Sequence, residues 1–144
     1  LKMSAEAVQP DETIDGSQVD VVERVMELTD GRGADVIITA TSANITQEQA
    51  ISMAARNGRI SFFGGLPKTD PFIKCDSNVV HYRQLHIHGA NGSAPEHNKR
   101  ALEYISTGQV PVKDLITRHV PLDDVLEAFS IVKNGEAIKV TVEP

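Results

Sequence analysis

Three short apolar runs, ADVIITAT (34–41), RISFF (59–63) and LHIHGA (85–90), each follow a stretch with helical patterning. This alternation restricts the fold more than any other feature of the chain. Strands separated by a helix cannot pair as tight hairpins; crossovers join them, and crossovers give parallel sheets and the α/β class. ADVIITAT is also continuously apolar rather than alternating, which predicts a strand buried on both faces.

The links between these runs are short and carry helix start and stop signals. Residues 2–8 read as the end of a helix, broken at Pro10 and followed by a short strand, ETID (12–15). In SQVDVVERVMELTDGRG, Ser17 and Asp20 have capping-box spacing, Val22, Val25, Met26 and Thr29 share a face, and Gly31 supplies the stop. TQEQAISMAARNG repeats this with Thr46 and Gln49, an apolar face of Ala50, Met53 and Ala54, and a stop at Asn57-Gly58. SNVVHYRQ is helical, and SAPEHNKRALEYISTG is a helix with Ser93 and Glu96 as its box, Pro95 in its first turn and Gly108 at its end. PLDDVLEAFSIVKNG predicts the last helix and AIKVTVE the last strand. The exception is LPKTDPFIKCDS, irregular but for a possible edge strand, FIKC. With 144 residues and no flexible linker, one domain over 1–144 is expected.

Composition removes several classes of function. A net charge of −6 disfavours nucleic-acid backbones and anionic membranes. With 4% aromatic residues and no Trp, a base-stacking platform is not expected. The single cysteine, Cys75, allows no intrachain disulfide, and no apolar run reaches membrane-spanning length, so a cytoplasmic protein is the expectation.

Most chemistry-bearing residues read as structural. The glycines of DGRGADV close a helix and precede a strand, the reverse of a dinucleotide fingerprint. His86 and His88 share a strand face but lack a third ligand nearby, so no metal site is assigned. His81, His97 and His119 are isolated, Cys75 has no partnering base, and Asp123-Asp124 suit a helix start. No catalytic residue is assigned either. What remains are three strand ends: Thr41-Ser42, Gly64-Gly65-Leu66 and Gly89-Ala90-Asn91. In an open parallel sheet such ends line one crevice, where ligands bind. Tight βα turns are the competing explanation of the glycines.

The stretches DGRGADVIITAT, AARNGRISFFGGLP, NVVHYRQLHIHGANGSAPEHNKRALEYISTG, LITRHVPLDDVLEAF and GEAIKVTVEP resemble the C-terminal part of a zinc-dependent medium-chain dehydrogenase. The branch they resemble is that of the sorbitol (polyol) and threonine dehydrogenases, and the likeness covers nearly the whole chain. It implies a partial Rossmann fold, the second half of a doubly wound parallel sheet, and NAD(P) as cofactor. By the same resemblance, Phe63, Gly64, Gly65, Leu66, Gly89, Ala90 and Asn91 would lie along the nicotinamide and its carboxamide. Thr41 and Ser42 would lie on the ribose side, and Lys139 would face the pyrophosphate, unless it is simply a solvated strand-end lysine.

The resemblance also implies parts that these residues do not include: the catalytic-zinc ligands, the glycine fingerprint and the first two Rossmann strands. The opening Leu1 reads as mid-pattern, so the expectation is a piece of a longer enzyme, inactive and weak in NAD(P) binding by itself. A small alcohol or polyol would be the parent's substrate, and a homodimer or higher oligomer through sheet edges is expected. The alternative is a non-catalytic, dimerising interaction module.

Overall fold

The computed structural model describes residues 2–144. In chain order its elements are α1 (Lys2–Val8), α2 (Val21–Leu28), β1 (Ala34–Ile38), α3 (Asn44–Met53), β2 (Ala54–Phe62), α4 (Ser77–Arg83), β3 (His86–Gly89), α5 (Pro95–Ser106), β4 (Ile116–Pro121), α6 (Val125–Lys133) and β5 (Lys139–Glu143). The chain forms two compact units, Ile14–Gly92 and Leu1–Thr13 with Ser93–Pro144.

In the unit Ile14–Gly92, β1, β2 and β3 form a parallel sheet in that order. The α/β class with parallel strands is therefore the class observed. Register aligns Ile37, Ile60 and Ile87 across the strands, with Val36, Arg59, His86 and Ile38, Ser61, His88 as the flanking rows. Side chains alternate between faces, so the isoleucine row and the flanking rows face opposite ways. Ile37 and Ile60 of the isoleucine row meet the core: Ile60 is fully buried and packs with Ile37, Ala50, Ile51 and Ala54, flanked by Val79 and Val80.

The expectation that ADVIITAT is buried on both faces fails here. Val36 and Ile38 are 53% and 63% exposed. α3 and α4 supply the side chains that cover Ile37 and Ile60, while Ile87 on the edge strand is 39% exposed and the opposite rows lie largely open to solvent.

Local chemistry moved several boundaries. α3 ends at Met53 rather than at Asn57-Gly58, because the Arg83 guanidinium donates to the carbonyls of Ser52 (2.8 Å) and Ala54 (2.9 Å). These are carbonyls that a helix end leaves without partners. The β1–β2 register then jumps from Ala34–Ala54 to Val36–Arg59. Asn57, with φ of 60°, and Gly58 turn the chain inside that irregularity.

α2 starts later than its pattern suggests. Asp20, not Ser17, is the cap, and its Oδ1 accepts from the Glu23 N–H at 2.9 Å. Ser17 instead donates its N–H and hydroxyl to Asp15, which holds that carboxyl below its usual value. ETID is accordingly not a strand but leads into this turn. Asp20→Ala is expected to lower stability by about 1 kcal/mol in urea unfolding, the usual worth of an N-cap. Ser17→Ala should leave α2 intact.

The other two boxes shift as well. Thr46 donates its hydroxyl to the Ala43 carbonyl, and α5 is capped at Ala94, whose N–H donates to His97 Nδ1 at 3.1 Å. FIKC is not a strand. Side chains of α3 take its main-chain groups instead: Asn44 Nδ2 donates to the carbonyls of Asp70 and Phe72, and Glu48 accepts from the Lys74 N–H.

In the other unit, β4 and β5 pair in parallel from Ile116–Lys139 to Pro121–Glu143, joined through α6. β4 has no counterpart in the sequence reading. Val120 and Ala128 are buried there. No described helix is long and apolar enough to cross a membrane.

Candidate functional site

Parallel strands bring their carboxyl ends to the same side of a sheet. Here Ile38 lies opposite Ser61, and Phe62 lies opposite Gly89, so the three chains leave the sheet side by side. Main-chain bonds continue past the strand ends: Thr39 N–H to Ser61 O (3.0 Å), Gly64 N–H to Thr39 O (2.7 Å) and Ala90 N–H to Phe62 O (3.2 Å). These bonds gather Thr41, Ser42, Phe63, Gly64, Gly65, Leu66, Gly89, Ala90 and Asn91 along one edge of one unit. Lys139 begins β5 in the other unit. There it lines an apolar cavity of about 320 Å³ with Val112, Leu115, Ile116 and Ile138.

The glycines of this edge differ in kind. A Cβ on Gly64 would run into the main chain of Thr41, its nitrogen at 2.8 Å and its carbonyl oxygen closer still. The group that approaches Gly64 closely is thus the chain's own backbone. Cβ atoms on Gly65 or Gly89 would meet nothing within 4 Å. These two glycines leave free space beside exposed main chain. Among the described residues, the N–H groups of Gly65, Leu66 and Asn91 have no protein acceptor. Three main-chain donors therefore remain available beside that open space. The chemistry this edge offers is that of main-chain donors toward a ligand that carries carbonyl oxygens.

Two buried polar side chains stand behind the edge, and sequence reasoning missed both. Thr39 (5% exposed) donates its hydroxyl to Ser61 O, and Gln47 (5% exposed) donates Nε2 to Gly64 O at 3.2 Å. A hydroxyl inside an apolar strand run, and an amide one turn before the apolar face of α3, were the available signals.

The histidine side chains are not joined to this edge by any hydrogen bond among the described residues. His86 and His88 stack on the open sheet face, with ring centroids 6.4 Å apart. His119 Nδ1 lies 3.0 Å from Glu143 Oε1 and 2.8 Å from the Thr141 hydroxyl. Among the described residues, no group of three or more His, Cys, Asp or Glu side chains is arranged to hold a metal. Cys75 is exposed.

Comparison with known proteins identifies the family. The family model described as zinc-binding dehydrogenase matches residues 2–107. The chain belongs to the zinc-binding dehydrogenase family. It is similar to other members of that family and their structures. It shares 30% identity over 140 residues with a sorbitol dehydrogenase of Halalkalibacterium halodurans, covering 97% of this chain and 40% of that protein. It shares 27% over 143 residues with an L-threonine 3-dehydrogenase of Thermococcus kodakarensis, again 97% and 40%. The crystal structure of an alcohol dehydrogenase from Thermotoga maritima superposes with a TM-score of 0.85 at 27% identity, covering 99% of this chain and 40% of that one. The zinc-binding dehydrogenase chain described here thus spans about two-fifths of the length of these relatives. The family expected from the sequence is the family found.

Proposed function

We propose that these residues form the nicotinamide-side half of the cofactor domain of an NAD(P)-dependent, zinc-containing polyol or alcohol dehydrogenase. In the whole enzyme, hydride would pass from a secondary alcohol to the nicotinamide. The observation that carries this reading is the alignment of three strand ends, with open space at Gly65 and Gly89 and unpaired main-chain N–H groups beside it. NAD(P), when bound, supplies the hydride acceptor.

This chain's share is to hold and orient the ring. Main-chain groups of residues 63–66 and 89–91 would bind the carboxamide and select the face turned to substrate, which is how a protein turns binding into rate in hydride transfer. Thr41 and Ser42 would take the ribose side, and Lys139 the pyrophosphate. In this reading 1–144 is one truncated domain in its parent, the zinc ligands are none of its residues, and hydride transfer belongs to the whole enzyme. A cytoplasmic location is part of the same reading. So is a homodimer or higher oligomer through sheet edges, since β1 and β3 each end the three-stranded sheet with one side unpaired.

NADH titration of the ¹⁵N-labelled chain tests the cofactor role. Amide peaks of residues 41–42, 63–66 and 89–91 are expected to move together, saturating at about millimolar NADH, the affinity of a few net contacts. Gly89→Val should weaken this binding about tenfold, filling the open space, with the melting temperature unchanged. No movement at these residues, or movement only elsewhere, would remove the cofactor role.

A further inference from the structure

Gln47 has no counterpart among the residues considered from the sequence, and its inferred role rests on the cofactor reading of the strand ends. A buried primary amide is costly unless its hydrogen bonds are made. Gln47 sits on α3 among residues otherwise apolar where they are buried, Ala50 and Ile51, and is itself 5% exposed. Its Nε2 reaches across to the Gly64 carbonyl at 3.2 Å, while the Gly64 N–H is held by Thr39 O at 2.7 Å. Both polar groups of Gly64 are therefore committed to the protein.

The consequence lies in the next peptide. The Gly64–Gly65 bond is planar and trans, so the Gly64 C=O and the Gly65 N–H point in opposite directions. With the carbonyl turned toward Gln47, the Gly65 N–H is turned away from it. Among the described residues that N–H has no protein acceptor, and a Cβ on Gly65 would meet nothing within 4 Å. A peptide between two glycines is the one most free to flip, because neither side carries a Cβ. A flip would replace the outward donor with an outward carbonyl, which repels any carbonyl-type ligand.

We infer that Gln47 is a positioning residue that locks the Gly64–Gly65 peptide, so that the Gly65 N–H is presented as a hydrogen-bond donor to a neutral carbonyl acceptor such as a carboxamide. An apolar side chain at 47 would fill the same volume without setting this direction. The role is thus one of specificity for the ligand's acceptor atom.

The test uses the 144-residue chain with Gln47→Met, which keeps length and removes the donor, and Gln47→Leu, which fills similar volume with no polar atom. In both, the Gly65 amide peak is expected to shift or broaden, and NADH affinity to fall about tenfold, the worth of one charge-free hydrogen bond and its orientation. A role confined to packing would lower the melting temperature yet leave the Gly65 peak and the affinity of the folded protein unchanged, and that result overturns the inference. If NADH moves no peak in the unmodified chain, the cofactor reading fails, while the Gly65 peak in Gln47→Met still decides the lock. A measurement on the unmodified chain covers variants that do not fold. The Gln47 side-chain amide protons should exchange more slowly than those of exposed Gln18 and Gln84, and equal exchange rates would refute the bond.

Discussion

Gly64→Ala is expected to lower unfolding stability by about 3 kcal/mol, the upper part of the usual range for forcing an extra carbon into a filled site. The added methyl would press on the Thr41 main chain, whose nitrogen and carbonyl carbon lie 2.8 Å from the Cβ position. A side chain could rotate away from such a contact. Backbone cannot, and the Thr41 segment is tied through Thr39 to both Ser61 and Gly64. Relief would require parting the β1 and β2 ends. Urea unfolding measures the loss, and Gly65→Ala is the control, since a methyl there meets nothing and should change stability by less than about 0.5 kcal/mol. Equal midpoints for the two variants would show that the elbow is not backed by Thr41.

A loss of comparable size is expected from Ile60→Ala. Among the described residues Ile60 is the largest fully buried side chain, at the centre of a small core with Ile37, Ala50, Ile51 and Ala54. Truncation removes apolar contact and leaves a cavity, which together cost about 2–5 kcal/mol. Total stability is only about 5–15 kcal/mol for a typical domain, so the loss is a large fraction of what holds the unit 14–92 folded and its melting temperature should fall by about ten degrees or more. Ile38→Ala provides the contrast. Its residue belongs to the same kind of apolar run but is 63% exposed on the opposite face, and its loss should stay within about 0.5 kcal/mol. Circular dichroism melts separate the cases, and similar losses at both positions would contradict the one-sided core.

The strand ends were legible in the sequence because a period is a local property. Thr41-Ser42, Gly64-Gly65 and Gly89-Asn91 follow three apolar runs, and parallel pairing then aligns them without further information. Burial on the two faces of ADVIITAT was not legible, since a run can be apolar on both sides whether or not something covers it. Nor was the end of α3. Its terminating group is Arg83, which lies 31 and 29 residues from the two carbonyls it holds. Ser17, Thr46 and Ser93 had plausible capping spacing, yet Asp20, Ala43 and Ala94 became the caps. Asp20 fits the same short-range pattern as Ser17, but Ala43 and Ala94 carry no side-chain acceptor, so the backbone's entry into those two helices and not a capping side chain sets their starts.

By itself the sequence determined the α/β class, the succession of the helices with β1, β2, β3 and β5, and the membership of the zinc-binding dehydrogenase family, because these follow from periodicity and from motifs that are contiguous in the chain. Tertiary structure alone decided which face of the sheet is covered, which glycine is packed and which is open, and that Gln47 holds the Gly64 carbonyl. Those outcomes depend on groups 17 to 31 residues apart meeting in space, and their energies exist only once the helices have settled on the sheet.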